Sequence, residues 1–155
     1  MAATKLSDLL HEGLITLDIQ TDSSVQAIKQ TINPLRYDSR VVEFEKFEAE
    51  VLRRETVEST CLGCGVALPH ARIDVVNDMV LAVGVSPKGV FFENGNQTVH
   101  LILVVGTPKR LATEYLRMVG TIARLLKDAD FREALMACTT PQEFISKIRL
   151  KETTG

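Results

Sequence analysis

Two short apolar runs, Met79–Val85 and Thr98–Val105, constrain this chain more than any other feature. Both are rich in Val, Leu and Ile and far shorter than the ~20 apolar residues that span a bilayer. They read as well-buried strands. Between them, Ser86-Pro-Lys-Gly89 and Asn94-Gly95 are turn signals. Leu6–Leu10 reads as a helical turn and Leu14–Ile19 as an alternating strand. Asp22, Ser23 and Ser24 offer N-caps for a helix to about Asn33, where Pro34 disfavours helical geometry in the residue before it. Val41 to about Arg54 predicts a second helix, with Phe44, Phe47 and Val51 three and four apart on an otherwise acidic segment. Thr113–Lys127 predicts a third, with Leu116, Val119, Ile122, Ala123 and Leu126 on one face. Asp130-Phe-Arg-Glu133 and Thr140-Pro-Gln-Glu143 are capping boxes for two more, with Pro141 in the first helical position. Strands intermixed with helices, and helices at both ends, predict an α/β domain: a sheet covered by helices on both faces.

A chain of 155 residues has room for one domain, residues 1–155. At 45% hydrophobic and 25% charged it is not a disordered chain. The net charge of −2 lacks the basic excess of a nucleic-acid binder and gives no support for docking on an anionic membrane. The first residues contain no apolar core of a signal peptide. Three cysteines, odd in number and sparse, then predict reduced thiols in a cytoplasm.

The residues with chemical capacity cluster between Arg54 and Arg72. In Gly63-Cys-Gly-Val-Ala-Leu-Pro-His70, Pro69 stiffens the backbone that presents the imidazole. A rigid, partly exposed neutral ring is what nucleophilic catalysis by histidine requires, and the residues alone leave a plain surface or core histidine open. Arg54 reads either as compensation of a helix dipole or as a fork for a phosphate or carboxylate. Thr60 reads either as a turn cap or as a donor to an anion, beside backbone N–H groups freed by Gly63 and Gly65. Cys61-Leu-Gly-Cys64 has the spacing of a redox pair or half a zinc site, but no second pair of ligands accompanies it. The chain also allows Cys64 to lie close to His70, which would put a thiol beside the imidazole. His100 alternates within its strand, beside His70 or away from it, and His11 reads as a solvated loop residue.

Arg54-Glu55, Thr60, Gly63-x-Gly65 and Pro69-His70 together resemble one family: the type-2 enzyme IIA domains of the bacterial phosphoenolpyruvate-dependent phosphotransferase system. Its fructose, mannitol and nitrogen-regulatory branches share an Arg-Glu, a Thr and a Gly-x-Gly-(Ile/Val)-Ala-(Ile/Leu)-Pro-His run. Leu6-Ser-Asp-Leu-Leu, the strand before Thr107-Pro108 and Leu125-Leu-Lys-Asp128 also match in order. The resemblance implies a mixed β-sheet flanked by helices, His70 as phosphoryl acceptor and Arg54 beside it. It implies the phosphocarrier protein HPr, or its nitrogen-branch homologue, as donor, and in the sugar branch a IIB domain as acceptor. It implies no metal or other cofactor and a donor that is not a nucleotide; the absence of a Gly-x₄-Gly-Lys-(Ser/Thr) run agrees with the last point. A chain without attached IIB or membrane segments is expected to fit the regulatory branch somewhat better, and also fits a separately encoded transport subunit. The family's second histidine, at the start of the late helix, is replaced by Tyr115 in Glu114-Tyr-Leu116. Tyrosine donates one hydrogen bond but cannot act as imidazolium. This makes a protein-binding module that carries no phosphoryl group the alternative expectation.

Overall fold

The computed structural model describes residues 5–154. The two apolar runs form the centre of a six-stranded mixed sheet, β5 (Val80–Phe92) and β6 (Gln97–Thr107), paired antiparallel from Val80↔Gly106 to Phe92↔Gln97. β1 (Ile15–Thr16) joins the outer edge of β5 in parallel. Along the other edge of β6 run two short parallel strands end to end, β3 (Val66–Ala67) and β4 (His70–Arg72), and β2 (Cys61–Gly63) closes that side antiparallel to β3. Pro69 falls at the break between β3 and β4, where its missing N–H interrupts the ladder.

Side-chain alternation divides the sheet into two cores. Leu81, Val83 and Val85, with Leu101, Leu103 and Val105, lie under α1 (Leu6–Leu9), α4 (Ala112–Leu125), α5 (Ala129–Met136) and α6 (Pro141–Thr154). Val80 and Ala82, with Ile102 and Val104, lie under α2 (Ser24–Ile32) and α3 (Phe44–Val57). Both central strands are therefore buried on both sides, which is why they read as continuous apolar runs.

Local chemistry explains the helix starts. The Ser23 hydroxyl accepts from the Gln26 N–H at 3.2 Å and caps α2. The Thr140 hydroxyl accepts from the Glu143 N–H at 3.2 Å and Pro141 opens α6 as expected. α2 ends at Ile32, where expected, and a 3-10 turn, Asn33–Tyr37, follows it through Pro34. Three expectations shift. α3 begins and ends three residues later than its apolar spacing suggested. α5 is capped by Asp128, whose carboxylate accepts from the N–H groups of Asp130 and Phe131, so Asp130 lies inside the helix. Of Leu14–Ile19 only Ile15 and Thr16 pair as a strand.

Two larger differences reach the site. The inward face of α4 is Tyr115, Met118, Ile122 and Leu125, while Leu116 is 67% exposed. That stripe is the expected one turned by one residue, with Tyr115 in the apolar role and Ile122 common to both. Ser86–Gly89 does not end a strand but bulges within β5: four residues separate Val85 from Val90 while only one separates their partners Leu101 and Val99.

Candidate functional site

His70 is the first residue of β4, delivered by the Pro69 break to the end of the sheet where β6 runs out. Its Nδ1 lies 3.3 Å from the Leu68 carbonyl oxygen. A carbonyl only accepts, so this contact places the proton on Nδ1 and leaves Nε2 with its lone pair. Burial holds the ring's pKa below the usual imidazole value; the Leu68 bond opposes this, Arg54 and Arg72 reinforce it, and Glu58 opposes it. The ring is thus neutral at pH 7.

Two cavities meet at this ring. One, about 190 Å³, is lined by Arg54, Glu58, Thr60, Leu62, His70 and Tyr115 among others. The second, about 230 Å³, is lined by Glu50, Arg54, His70, Arg72 and Lys109. Glu50 is already held by Arg53 at 2.8 Å, which leaves the three cations in excess there. Arg54 stands in the last turn of α3, and the backbone N–H of Glu58 donates to its carbonyl at 3.1 Å. Tyr115 is 7% exposed and packs on His70, ring centroids 5.3 Å apart at 40°. Burial raises the pKa of its phenol, Arg54 and Arg72 partly offsetting the effect.

Thr60 lines the first cavity, but its hydroxyl donates to the Glu55 carboxylate at 2.5 Å. Its proton is therefore committed within the protein. Gly63 and Gly65 line neither His70 cavity. With φ of +87° and +82° on either side of Cys64 at +52°, they bend the turn between β2 and β3, a conformation that costs a Cβ-bearing residue about 1–2 kcal/mol. Cys64 lies in a separate groove with Leu62, Val66, Ala123, Leu126, Lys127 and Arg132, so it is not beside His70. Cys61 does border the first cavity, with its thiol pKa raised by burial. Among the described residues no three His, Cys, Asp or Glu side chains gather as a metal site.

His100 is not beside His70. It faces the β5 bulge, five positions along β6 from Val105, the residue that pairs with His70. At about 3.3 Å per residue that is roughly 16 Å away. His11 is exposed, as expected. The sequence reading missed Arg72 and Lys109. Arg72 was within reach, because residues two apart on a strand share a face and Arg72 follows His70 by two. Lys109 carries no such signal: only the pairing of β4 with β6 brings it to the ring.

The molecule is thus an α/β domain that presents one tautomer-fixed histidine beside a group of cations. The model of the "Phosphoenolpyruvate-dependent sugar phosphotransferase system, EIIA 2" family matches residues 8–151, and the chain belongs to that family. It is 27% identical over 146 residues to the 2-O-alpha-mannosyl-D-glycerate-specific EIIABC component of Escherichia coli; the match covers 92% of this chain and 22% of that protein, so the chain spans about a fifth of that relative's length. It is 26% identical over 151 residues to a nitrogen regulatory protein of Bradyrhizobium diazoefficiens, covering 97% of this chain and 98% of the other. The crystal structure of nitrogen regulatory protein IIA-Ntr from Neisseria meningitidis superposes with a TM-score of 0.84 at 24% identity, covering 92% and 98% of the two chains. Among the described residues no helix is long and apolar enough to cross a membrane.

Proposed function

We infer that this domain is a phosphocarrier whose His70 accepts a phosphoryl group on Nε2 from the phosphohistidine of HPr or its nitrogen-branch homologue. The observation that carries the reading is the Nδ1 contact with the Leu68 carbonyl, beside Arg54, Arg72 and Lys109. The Nε2 lone pair forms the new N–P bond. The electron pair of the breaking N–P bond returns to the donor imidazole, and no proton need move at His70. The Leu68 carbonyl then faces the N–H of a ring that has become more positive, and so stabilises it. Arg54, Arg72 and Lys109 offset the charge of the phosphoryl oxygens in flight, so catalysis is positioning and electrostatics without a metal.

The product carries about −1.5 to −2 added charges, enough to change which proteins bind this face. A IIB domain is the onward acceptor in a sugar branch; in a nitrogen branch the phosphorylation state is read by regulated proteins. The exposed Leu62 on the rim of the Tyr115 cavity, and the exposed Leu116 next to Tyr115 in α4, give such partners apolar contact.

The test is phosphotransfer from phosphoenolpyruvate through enzyme I and either carrier, read by intact mass. One acid-labile phosphate, absent in His70→Ala, supports the reading, and donor preference assigns the branch. A folded protein that takes phosphate from neither donor favours the non-carrier binding module, with Tyr115 as the reason.

A further inference from the structure

Glu55 takes no part in the chemistry above and lines neither His70 cavity, yet its carboxylate holds Thr60, which borders one of them. We propose that Glu55 is a positioning residue that holds His70 in its Nδ1–H tautomer through Thr60 and Leu68. The inference rests on the reading of His70 as acceptor for its catalytic meaning, and on the hydrogen bonds alone for its structural content.

Three links join carboxylate to imidazole. Glu55 Oε2 accepts from the Thr60 hydroxyl at 2.5 Å. The Thr60 carbonyl accepts from the Leu68 N–H at 2.9 Å. The Leu68 carbonyl accepts from His70 Nδ1 at 3.3 Å. The strand that presents the histidine is thereby tied at Leu68, one residue before the Pro69 break, to the chain leaving α3. β6 holds the residues on either side of Leu68, through Ala67↔Ile102 and the Val105 N–H on the Pro69 carbonyl; the Thr60 bond adds the hydrogen bond of Leu68's own N–H, and losing it loosens the carbonyl that seats the proton on Nδ1.

The burial of Glu55 argues that the link is more than incidental. Glu55 is only 8% exposed, and among the described residues it forms no ion pair. Burying a carboxylate without a cation is costly, and burial raises its pKa while hydrogen bonding to Thr60 lowers it. Its side chain reaches past the end of α3 at Val57 to Thr60. A second element holds the same residue: Asn94 Nδ2 donates to the Glu55 carbonyl at 2.5 Å. The next residue, Gly95, lies so close to Cys61 and Ser59 that an added Cβ would stand 2.5 Å from Cys61 Sγ and 2.8 Å from Ser59 Oγ. The turn between β5 and β6 thus clamps both ends of the segment between Glu55 and Cys61.

The experiment uses the whole chain labelled with ¹⁵N-histidine. Long-range ¹H–¹⁵N correlation reads which ring nitrogen of His70 bears the proton, and steady-state transfer from phosphorylated HPr gives kcat and KM. Thr60→Val removes the donor and leaves the buried carboxylate; Thr60→Ala repeats the test with a smaller side chain should Val disturb the fold. Both are expected to convert His70 into a mixture of tautomers. Both should lower kcat about tenfold with KM unchanged, less than the hundredfold a 1 Å misplacement can cost. Thr60→Ser and Glu55→Gln, which keep a donor and an acceptor respectively, are expected to restore the Nδ1–H tautomer and most of the rate. A role confined to stability would lower Tm and leave the tautomer alone. The proposal is overturned if Thr60→Val retains a pure Nδ1–H tautomer and wild-type kcat, or if Thr60→Ser fails to restore both. Wild-type protein that takes no phosphate removes the acceptor reading instead, while the tautomer spectra still decide the link.

Discussion

The two ends of β6 each hold a partly buried histidine with Nδ1 on a backbone carbonyl, yet they are different chemical objects. At one end His70, paired with Val105, has Nδ1 3.3 Å from Leu68 O and borders two cavities with Arg54, Arg72 and Lys109. At the other end His100 has Nδ1 3.0 Å from Ser86 O, inside the β5 bulge. Gly89 covers its far edge, where an added Cβ would stand 2.9 Å from Cε1 and 3.2 Å from Nε2. The comparison teaches that fixing a tautomer is not enough to make a site. The free nitrogen must also meet open space and complementary charge.

The most severe break of that comparison is His70→Ala against His100→Ala. His70→Ala should abolish phosphoryl uptake with an unchanged far-UV circular dichroism spectrum, and His100→Ala should retain uptake by intact mass. Labelling that survives in His70→Ala but disappears in His100→Ala would invert the assignment.

Next in size is the charge that distinguishes the two ends. Arg54→Ala should slow transfer on the order of a hundredfold, the scale of losing one preorganised donor to a developing anion. Arg54→Lys should lose less, because the charge remains and only the bidentate fork is gone. Equal single-turnover rates for both variants and wild type would remove Arg54 from the chemistry.

Gly89→Ala sharpens the contrast from the opposite end. Gly89 has φ of +91°, and a Cβ there would stand 2.6 Å from Thr98 Cγ2 as well as against His100. Strain and crowding together should cost about 2 kcal/mol or more. Thermal unfolding should show that loss, while the rate of phosphoryl uptake per folded molecule stays at the wild-type value.

The smallest effect is a displacement in pH. The His70 pKa lies below 6.5, chiefly from burial, so the neutral nucleophile persists to lower pH than in a free imidazole. The acid limb of the uptake rate should therefore fall below pH 6.5, and Arg54→Ala should move it upward. The linked stability has the same sign: the unfolded state takes up His70's proton first, so this contribution is present above pH 6.5 and lost as pH falls through the folded pKa. An acid limb at or above pH 6.5 would contradict the buried, cation-flanked ring.

Much of the site was legible because its signals are local. Pro69 before His70 states a stiff presentation in two residues, and the spacing back to Thr60 and Arg54 marks the other side of the cavity. The glycines around Cys64 were equally visible, but backbone freedom alone does not say whether a turn binds an anion or simply turns. Here the positive φ values serve the β2–β3 hairpin, away from the His70 cavities. The α4 stripe shows the same limit. Leu116-Val119-Ile122-Ala123-Leu126 and Tyr115-Met118-Ile122-Leu125 both have helical spacing, and periodicity cannot choose between them when one carries a tyrosine.

What the sequence by itself determined are the properties that a few neighbouring residues impose: the two buried strands, a capped helix start at Asp22–Ser24 and another at Thr140, and one histidine in a segment that Pro69 stiffens. They depend on hydrophobic pattern and backbone sterics, which act over one or two turns of chain. What only the tertiary structure decided is which groups share a space. The pairing of β4 along β6 brings Lys109 to His70, the bulge at Ser86–Gly89 closes over His100, and the meeting of α4 with the sheet turns Tyr115 inward against the imidazole. Those contacts join residues far apart in sequence, and burial of the whole sheet selects them, which no local pattern encodes.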